Sequence, residues 1–240
     1  FGAVLVFFVA LGRDLGTVLI LAMIIAVVLY LGGMRGIYLL GTAAVGLVFV
    51  TIATMLSSNR MLRIQAWLGQ CDHASDPCYQ YEQGIFALAS GGWFGLGLGQ
   101  SRQKWSYIPE AGNDFIFTVL GEELGLLGAL LVIGLFITLG LGMFRVAYNT
   151  TDHFVRIATG AIMTWLLGQA FMNIAMVTGL LPVIGVPLPF ISAGGSALLM
   201  AILAVGVVLS FARHQAHELQ QNTQSETTEP KVKESVQSRQ

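Results

Sequence analysis

Charge is scarce in this sequence. Asp, Glu, Lys and Arg make up 10% of its 240 residues, against about 25% in a typical soluble domain, and hydrophobic residues reach 55%. That balance excludes a water-soluble globular domain, because too few polar side chains remain to cover its surface. Basic residues are few as well: 12 Lys and Arg against 13 Asp and Glu leave a formal net charge of −1. Without a Lys/Arg cluster the chain lacks the cationic footprint that nucleic-acid binding requires. Cysteine occurs only at Cys71 and Cys78, and their arrangement with His73 and Asp76 matches no standard zinc-ligand spacing. The chain opens on Phe1 with neither a basic leader nor a small-residue cleavage site, which argues against a signal peptide. Its first apolar run ends at Leu11, short of the roughly 20 residues that a spanning helix needs, so the sequence is expected to begin inside a span.

Long apolar runs are what the sequence has in quantity. Thr17 to Gly33 and Ile37 to Leu56 are each long enough to cross a bilayer and are separated only by Met34-Arg35-Gly36, so an antiparallel helical hairpin is expected. The preceding Gly12-Arg13-Asp14-Leu15-Gly16-Thr17 reads as a tight turn at one membrane face. Phe115 to about Phe144, Ile157 to Leu181 and Ala197 to Phe211 supply further spans. These runs predict an all-α polytopic membrane protein, a helical bundle whose membrane domain covers 1–212 in about six segments, the first truncated. A long extracytoplasmic loop is expected at 57–113 and a disordered cytoplasmic tail at 213–240, the latter from its Gln, Ser, Thr and Glu content. The orientation follows from Arg35, Arg145, Arg156 and Arg213, which collect at the face that shares the tail. Pro182, Pro187 and Pro189, with Gly194-Gly195 after them, forbid a regular helix. Non-helical backbone at membrane depth persists only beside protein or a water-filled cavity, so this segment is expected to line a cleft. Gln169 and Asn173, four apart on the preceding span, are expected to bond to neighbouring helices.

Polar chemistry gathers between 57 and 123. Asp114 stands where the loop gives way to Phe115-Ile116-Phe117, which puts a carboxylate at the membrane boundary and makes it the candidate catalytic residue. The simpler reading, an Asp that caps a helix beginning at Phe115, is open beside it. Arg60 and Arg63 share one face of an interfacial helix anchored by Trp67. Arg102 and Lys104 follow the glycine-rich run from Gly91 to Gly99, so a lipid diphosphate would meet backbone amides and cations together. A plain glycine hinge is the alternative there. Glu122 and Glu123 lie below Asp114 on the same span, where carboxylates must face the bundle interior or a polar cavity. Bonding across helices as structural support is the alternative, and for Glu123 it is equally open. Cys71 and Cys78, in a loop outside the membrane, are expected to form a disulfide.

Two motif blocks carry a resemblance. The first runs Gly97-Leu98-Gly99, Ser101, Gln103-Lys104, Pro109-Glu110-Ala111, Asp114-Phe115-Ile116-Phe117 and Gly121-Glu122-Glu123-Leu124-Gly125. The second runs Asn173, Gly179-Leu180-Leu181-Pro182, Gly185, Pro187-Leu188-Pro189-Phe190-Ile191-Ser192 and Gly194-Gly195-Ser196. In these blocks, and from Phe1 to about Arg213, the chain resembles the SEDS family of shape, elongation, division and sporulation proteins, and within it the cell-division branch. Family members usually carry His-Thr where this chain has Gly112-Asn113, and Tyr where it has Ala193.

The resemblance implies a C-terminal fragment of an enzyme that polymerises lipid II into glycan strands during cell division. It implies a multi-pass protein of the bacterial plasma membrane at the division septum, working with a penicillin-binding transpeptidase and other division proteins. Asp114 would be the base, with Arg60, Arg63, Arg102 and Lys104 as diphosphate contacts and Glu110, Glu122 and Ser192 as further substrate-binding residues. No cofactor is called for, and a divalent cation sharing the diphosphate charge is left open. The rival readings are a lipid II flippase and a non-catalytic division scaffold. Polar groups that gather around Asp114, at one membrane face and not through the midplane, favour the enzyme.

Overall fold

The computed structural model describes residues 14–55, 57–70, 76–101 and 113–237, with isolated positions ahead of residue 14 and with 222–237 described by their backbone. Regular structure among the described residues is helical throughout. It comprises α1 (Leu15–Leu31), α2 (Gly36–Met55), α3 (Ser58–Trp67), α4 (Asp76–Ser90), α5 (Ile116–Asn149), α6 (His153–Val177) and α7 (Gly195–Gln237). Ile116–Asn149, His153–Val177 and Gly195–Glu218 are long and apolar enough to cross a membrane, and Leu15–Leu31 and Gly36–Gly46 are shorter apolar helices. Leu131 and Leu135 on α5 and Leu199 and Leu203 on α7 point outward. Apolar side chains on both the packed and the open faces are what a lipid solvent requires.

Helix ends are set by local chemistry. Asp14 caps α1, accepting hydrogen bonds from the Thr17 amide at 3.0 Å and the Thr17 hydroxyl at 2.5 Å. The helix therefore starts at Leu15, ahead of Thr17, and the expected turn is a helix entry. Asp152 does the same for α6 through the Phe154 amide at 2.8 Å, which shortens the connection expected between Arg145 and Arg156 to 150–152. Arg156 closes that turn by donating to the Thr150 carbonyl at 2.7 Å.

α6 is the axis of the packing, with α1 along one side, α5 along another and α7 touching it. Buried Phe115, Phe117, Ala170, Met176, Val183 and Leu188 form one core cluster, and Met143, Leu166, Ala201 and Val208 a second. The 57–113 connection carries two helices, with α4 packed on α5 and α3 on α4. Composition predicts a disordered tail for 213–240, whereas α7 continues to Gln237. An already nucleated helix propagates through good formers such as Glu218, Gln220 and Gln221 at little cost, because nucleation is the expensive step, whereas Thr227, Thr228 and Pro230 further on are poor formers.

α5 is interrupted at Gly125, where φ is 69° and ψ −167°, a conformation essentially reserved for glycine. The glycine-rich turn after α4 fills the break. Leu96 and Gly97 donate their amides to the Glu122 and Glu123 carbonyls at 2.9 and 3.0 Å, and Leu126 and Leu127 donate to Gly92 and Trp93 at 2.9 and 3.3 Å. The turn supplies partners that the interrupted helix has lost. A Cβ on Gly91 would overlap the Gly121 carbonyl, so the close approach itself demands glycine. This overturns the phosphate-cradling reading for Leu96 and Gly97: their amides are spent on α5.

Candidate functional site

The site begins with the non-helical segment between α6 and α7. Its backbone is held by side chains from α6. Asn173, fully buried, donates through Nδ2 both to the Asp114 carbonyl at 2.8 Å and to the Val186 carbonyl at 2.6 Å. Gln169 donates to the Pro187 carbonyl at 2.9 Å, and Met176 Sδ accepts from the Ile184 amide at 3.1 Å. Both amides were expected to reach neighbouring helices. They bond instead to the non-helical segment, because the prolines and glycines there leave carbonyls without helical partners.

Ser192 completes the joint. Its hydroxyl accepts from the Leu188 amide at 2.7 Å and donates to the Asn113 carbonyl at 2.7 Å. The backbone at 113–114 is thus tied to 186–192 by Asn173 on one side and Ser192 on the other. Phe190 stands at φ 67° within this segment, a left-handed conformation that costs a bulky residue about 1–3 kcal/mol, and its ring packs against Phe136 at 6.3 Å.

The Asp114 carboxylate is not the helix cap. Phe115 occupies the N-cap position of α5, and among the described residues no hydrogen bond joins Asp114 to the first amides of that helix. Half-buried Asp114 lines a cavity of about 270 Å³ together with Asn113, Trp165, Gln169, Ser192 and Ala197.

A larger cavity, about 770 Å³, is lined by the preceding stretch of the same segment, including Pro182 and Gly185, together with Asp14, Ser57, Arg60 and Arg63. α3 is clamped to its rim: Arg63 donates to the Val183 carbonyl at 3.3 Å and Trp67 to the Gly179 carbonyl at 2.8 Å. The four-residue interval between these donors places both on one face of the helix.

The structure therefore brings Asp114, Ser192, Arg60 and Arg63 to cavities lined by successive stretches of one segment. Glu122 lines neither cavity. It is 2% exposed and accepts a 2.6 Å hydrogen bond from the Ser101 hydroxyl, tying the chain just before residue 102 to α5. Glu123 has one buried carboxylate oxygen, Oε1, without a partner among the described residues. Arg102, Lys104, Glu110 and Cys71 lie outside the described residues, as does the side chain of Cys78 in the first turn of α4.

Trp165 and Gly185 are site residues that the sequence reading passed over. Trp165, Gln169 and Asn173 recur at intervals of four on α6, so a row of polar-tipped residues along one helix face was the available signal for the first. Gly185 stands in the second motif block, which marks the position but not its approach to Asp114 and Arg63.

The fold and this site define a helical membrane protein built around a carboxylate at a joint between two distant chain segments. Known proteins are similar to this chain in sequence and in fold. The family model for cell cycle proteins of the FtsW/RodA/SpoVE type matches residues 1–217. The probable peptidoglycan glycosyltransferase FtsW of Mycobacterium tuberculosis is 42% identical over 202 residues, covering 84% of this chain and 38% of the relative. The protein of the same description from Trichlorobacter lovleyi is 39% identical, covering 83% of this chain and 52% of its own length. Stage V sporulation protein E of Bacillus subtilis is 36% identical, with coverages of 85% and 56%. A solved structure described as "Structural coordination of polymerization and crosslinking by a peptidoglycan synthase complex" superposes with a TM-score of 0.66 at 28% identity, over 85% of this chain and 57% of that one.

This chain belongs to the FtsW/RodA/SpoVE family. It spans between 38% and 56% of the length of these curated relatives.

Proposed function

We propose that the protein carrying this chain is a peptidoglycan glycosyltransferase that polymerises lipid II into glycan strands during cell division. The observation that carries this reading is the Asp114 carboxylate, which lines a cavity, plays no capping role, and has its backbone fixed through the buried Asn173 amide. A sugar hydroxyl attacking an anomeric carbon needs a base positioned in this way, and no covalent intermediate forms if configuration inverts. The hydroxyl oxygen bonds to the anomeric carbon, its proton passes to Asp114, and the bond from that carbon to the undecaprenyl diphosphate breaks. Arg60 and Arg63, joined by Arg102 and Lys104, would stabilise the charge developing on the departing diphosphate. A divalent cation would share that task if one is bound. Ser192 holds the Asn113 carbonyl next to the base, and Glu110 would be a further substrate-binding carboxylate. A penicillin-binding transpeptidase and other division proteins are the expected partners, at the septum of the plasma membrane.

The decisive variant is Asp114→Asn in the full-length protein, assayed for polymerisation of purified lipid II. Loss of a general base lowers the rate by about 10² to 10⁴, and expression and partner binding should stay near normal because the side chain does not cap α5. Polymerisation at the normal rate would move the base to Glu110. A wild-type protein that translocates lipid II and never polymerises it would replace the enzyme with a flippase.

A further inference from the structure

The segment between α6 and α7 lines both cavities with successive stretches. Its first part, Pro182 to Gly185, faces the larger cavity with Arg60 and Arg63, and its second part, Pro187 to Gly194, faces the smaller one with Asp114. At Gly185, the last of the residues facing the larger cavity, the segment has no side chain and φ is 79°, a value suited to glycine. A Cβ at this position would stand 3.1 Å from Asp114 Oδ2 and 4.0 Å from Arg63 Nη1. The carboxylate of one cavity and the guanidinium of the other converge on a single point, and that point is left open by the absence of one methyl group.

We propose that Gly185 is a window across which glycosyl transfer occurs: the lipid diphosphate lies in the larger cavity against Arg60 and Arg63, and the attacking sugar hydroxyl lies in the smaller one against Asp114. The inference rests on the glycosyltransferase reading above. Size and chemistry assign the sides. The larger cavity combines two cations with the apolar Leu15, Leu19, Ile64 and Leu181, which matches a charged diphosphate joined to a polyprenyl chain. The smaller cavity offers Asp114, Gln169 and Ser192, hydrogen-bonding partners suited to a sugar. During transfer the new bond joins the hydroxyl oxygen to the anomeric carbon and the proton goes to Asp114. The electron pair of the broken bond leaves on a phosphate oxygen on the Arg63 side. Gly185 is a positioning residue: a methyl there presses on the carboxylate, whereas its contact with Arg63 is an ordinary one.

The test compares Gly185→Ala with Gly69→Ala in the full-length protein. Gly69 has φ 73° and nothing within 4 Å of its added Cβ, so it reproduces the backbone strain without the contact. For Gly185→Ala we expect kcat to fall by about a hundredfold, the scale of a small misplacement at a reacting centre, with KM for lipid II within about threefold; Gly69→Ala should match wild type in both. A second measurement needs no substitution at Gly185. A polyprenyl diphosphate carrying a diazirine next to the diphosphate, photolysed on the wild-type protein, should label 54–64 and 181–185. Labelling of 187–201 in their place overturns the assignment, as does a Gly185→Ala enzyme with normal kcat, or a Gly69→Ala enzyme equally impaired. An inactive wild type defeats the polymerase reading and this inference with it, whereas an active wild type beside a fully active Gly185→Ala defeats this inference alone.

Discussion

Replacing Asn173 by Leu should loosen the joint that holds Asp114. Leu keeps the branched shape of Asn with somewhat more bulk and removes both donors, leaving the Val186 and Asp114 carbonyls without their 2.6 and 2.8 Å partners. A buried acceptor left unsatisfied costs about 1–3 kcal/mol. Val186 is 2% exposed and its carbonyl bears the full penalty, whereas half-buried Asp114 recovers part of its own from water. The total is about 2–4 kcal/mol, and at tenfold per 1.4 kcal/mol the opening equilibrium of the segment rises by about 30-fold to 1,000-fold. Hydrogen–deuterium exchange on the full-length protein reads this directly in peptides covering 183–192, where the Ile184 and Leu188 amides are bonded to Met176 and Ser192. Peptides from the middle of α5 serve as the internal reference. The orientation of the amide is not arbitrary, since a flipped Asn173 would set its oxygen against two carbonyl oxygens. Exchange in 183–192 that matches wild type while the variant is folded would show that Asn173 does not hold the segment.

Gly125→Ala should sharply reduce the yield of monodisperse protein, because φ 69° with ψ −167° costs about 1–3 kcal/mol outside glycine and the added Cβ would overlap Gly95 and Trp93; wild-type yield on size exclusion would refute the plugged-break account. Arg102→Ala and Lys104→Ala should raise KM for a lipid diphosphate while each variant remains membrane-inserted, and unchanged kinetics in both would remove them from the anion site. Cys71 and Cys78 should be linked in protein from intact cells, which non-reducing peptide mass spectrometry checks; two free thiols would end that expectation.

Several features are legible in the residue string because they depend on one position at a time. Apolar runs of spanning length give the helices, since every backbone polar group in lipid must be satisfied within its own segment. Pro182, Pro187 and Pro189 announce non-helical backbone wherever they are folded, and the change from polar loop to Phe115-Ile116-Phe117 places Asp114 at a boundary. The partners of those residues are a different matter. Asn173 bonds to a carbonyl 59 positions away, and Ser192 to one 79 away. Nothing local distinguishes an amide that faces another helix from one that faces a bent segment. The same limit applies to the glycines from Gly91 to Gly97, whose freedom suits an anion cradle and a helix plug equally until Gly125 is brought against them. Sequence alone determined that the chain is a helical membrane protein with a carboxylate at its edge. Tertiary packing decided that Arg63 approaches this carboxylate from a separate cavity and that Gly185 stands beside both, because each of these depends on the distance between segments far apart in the chain.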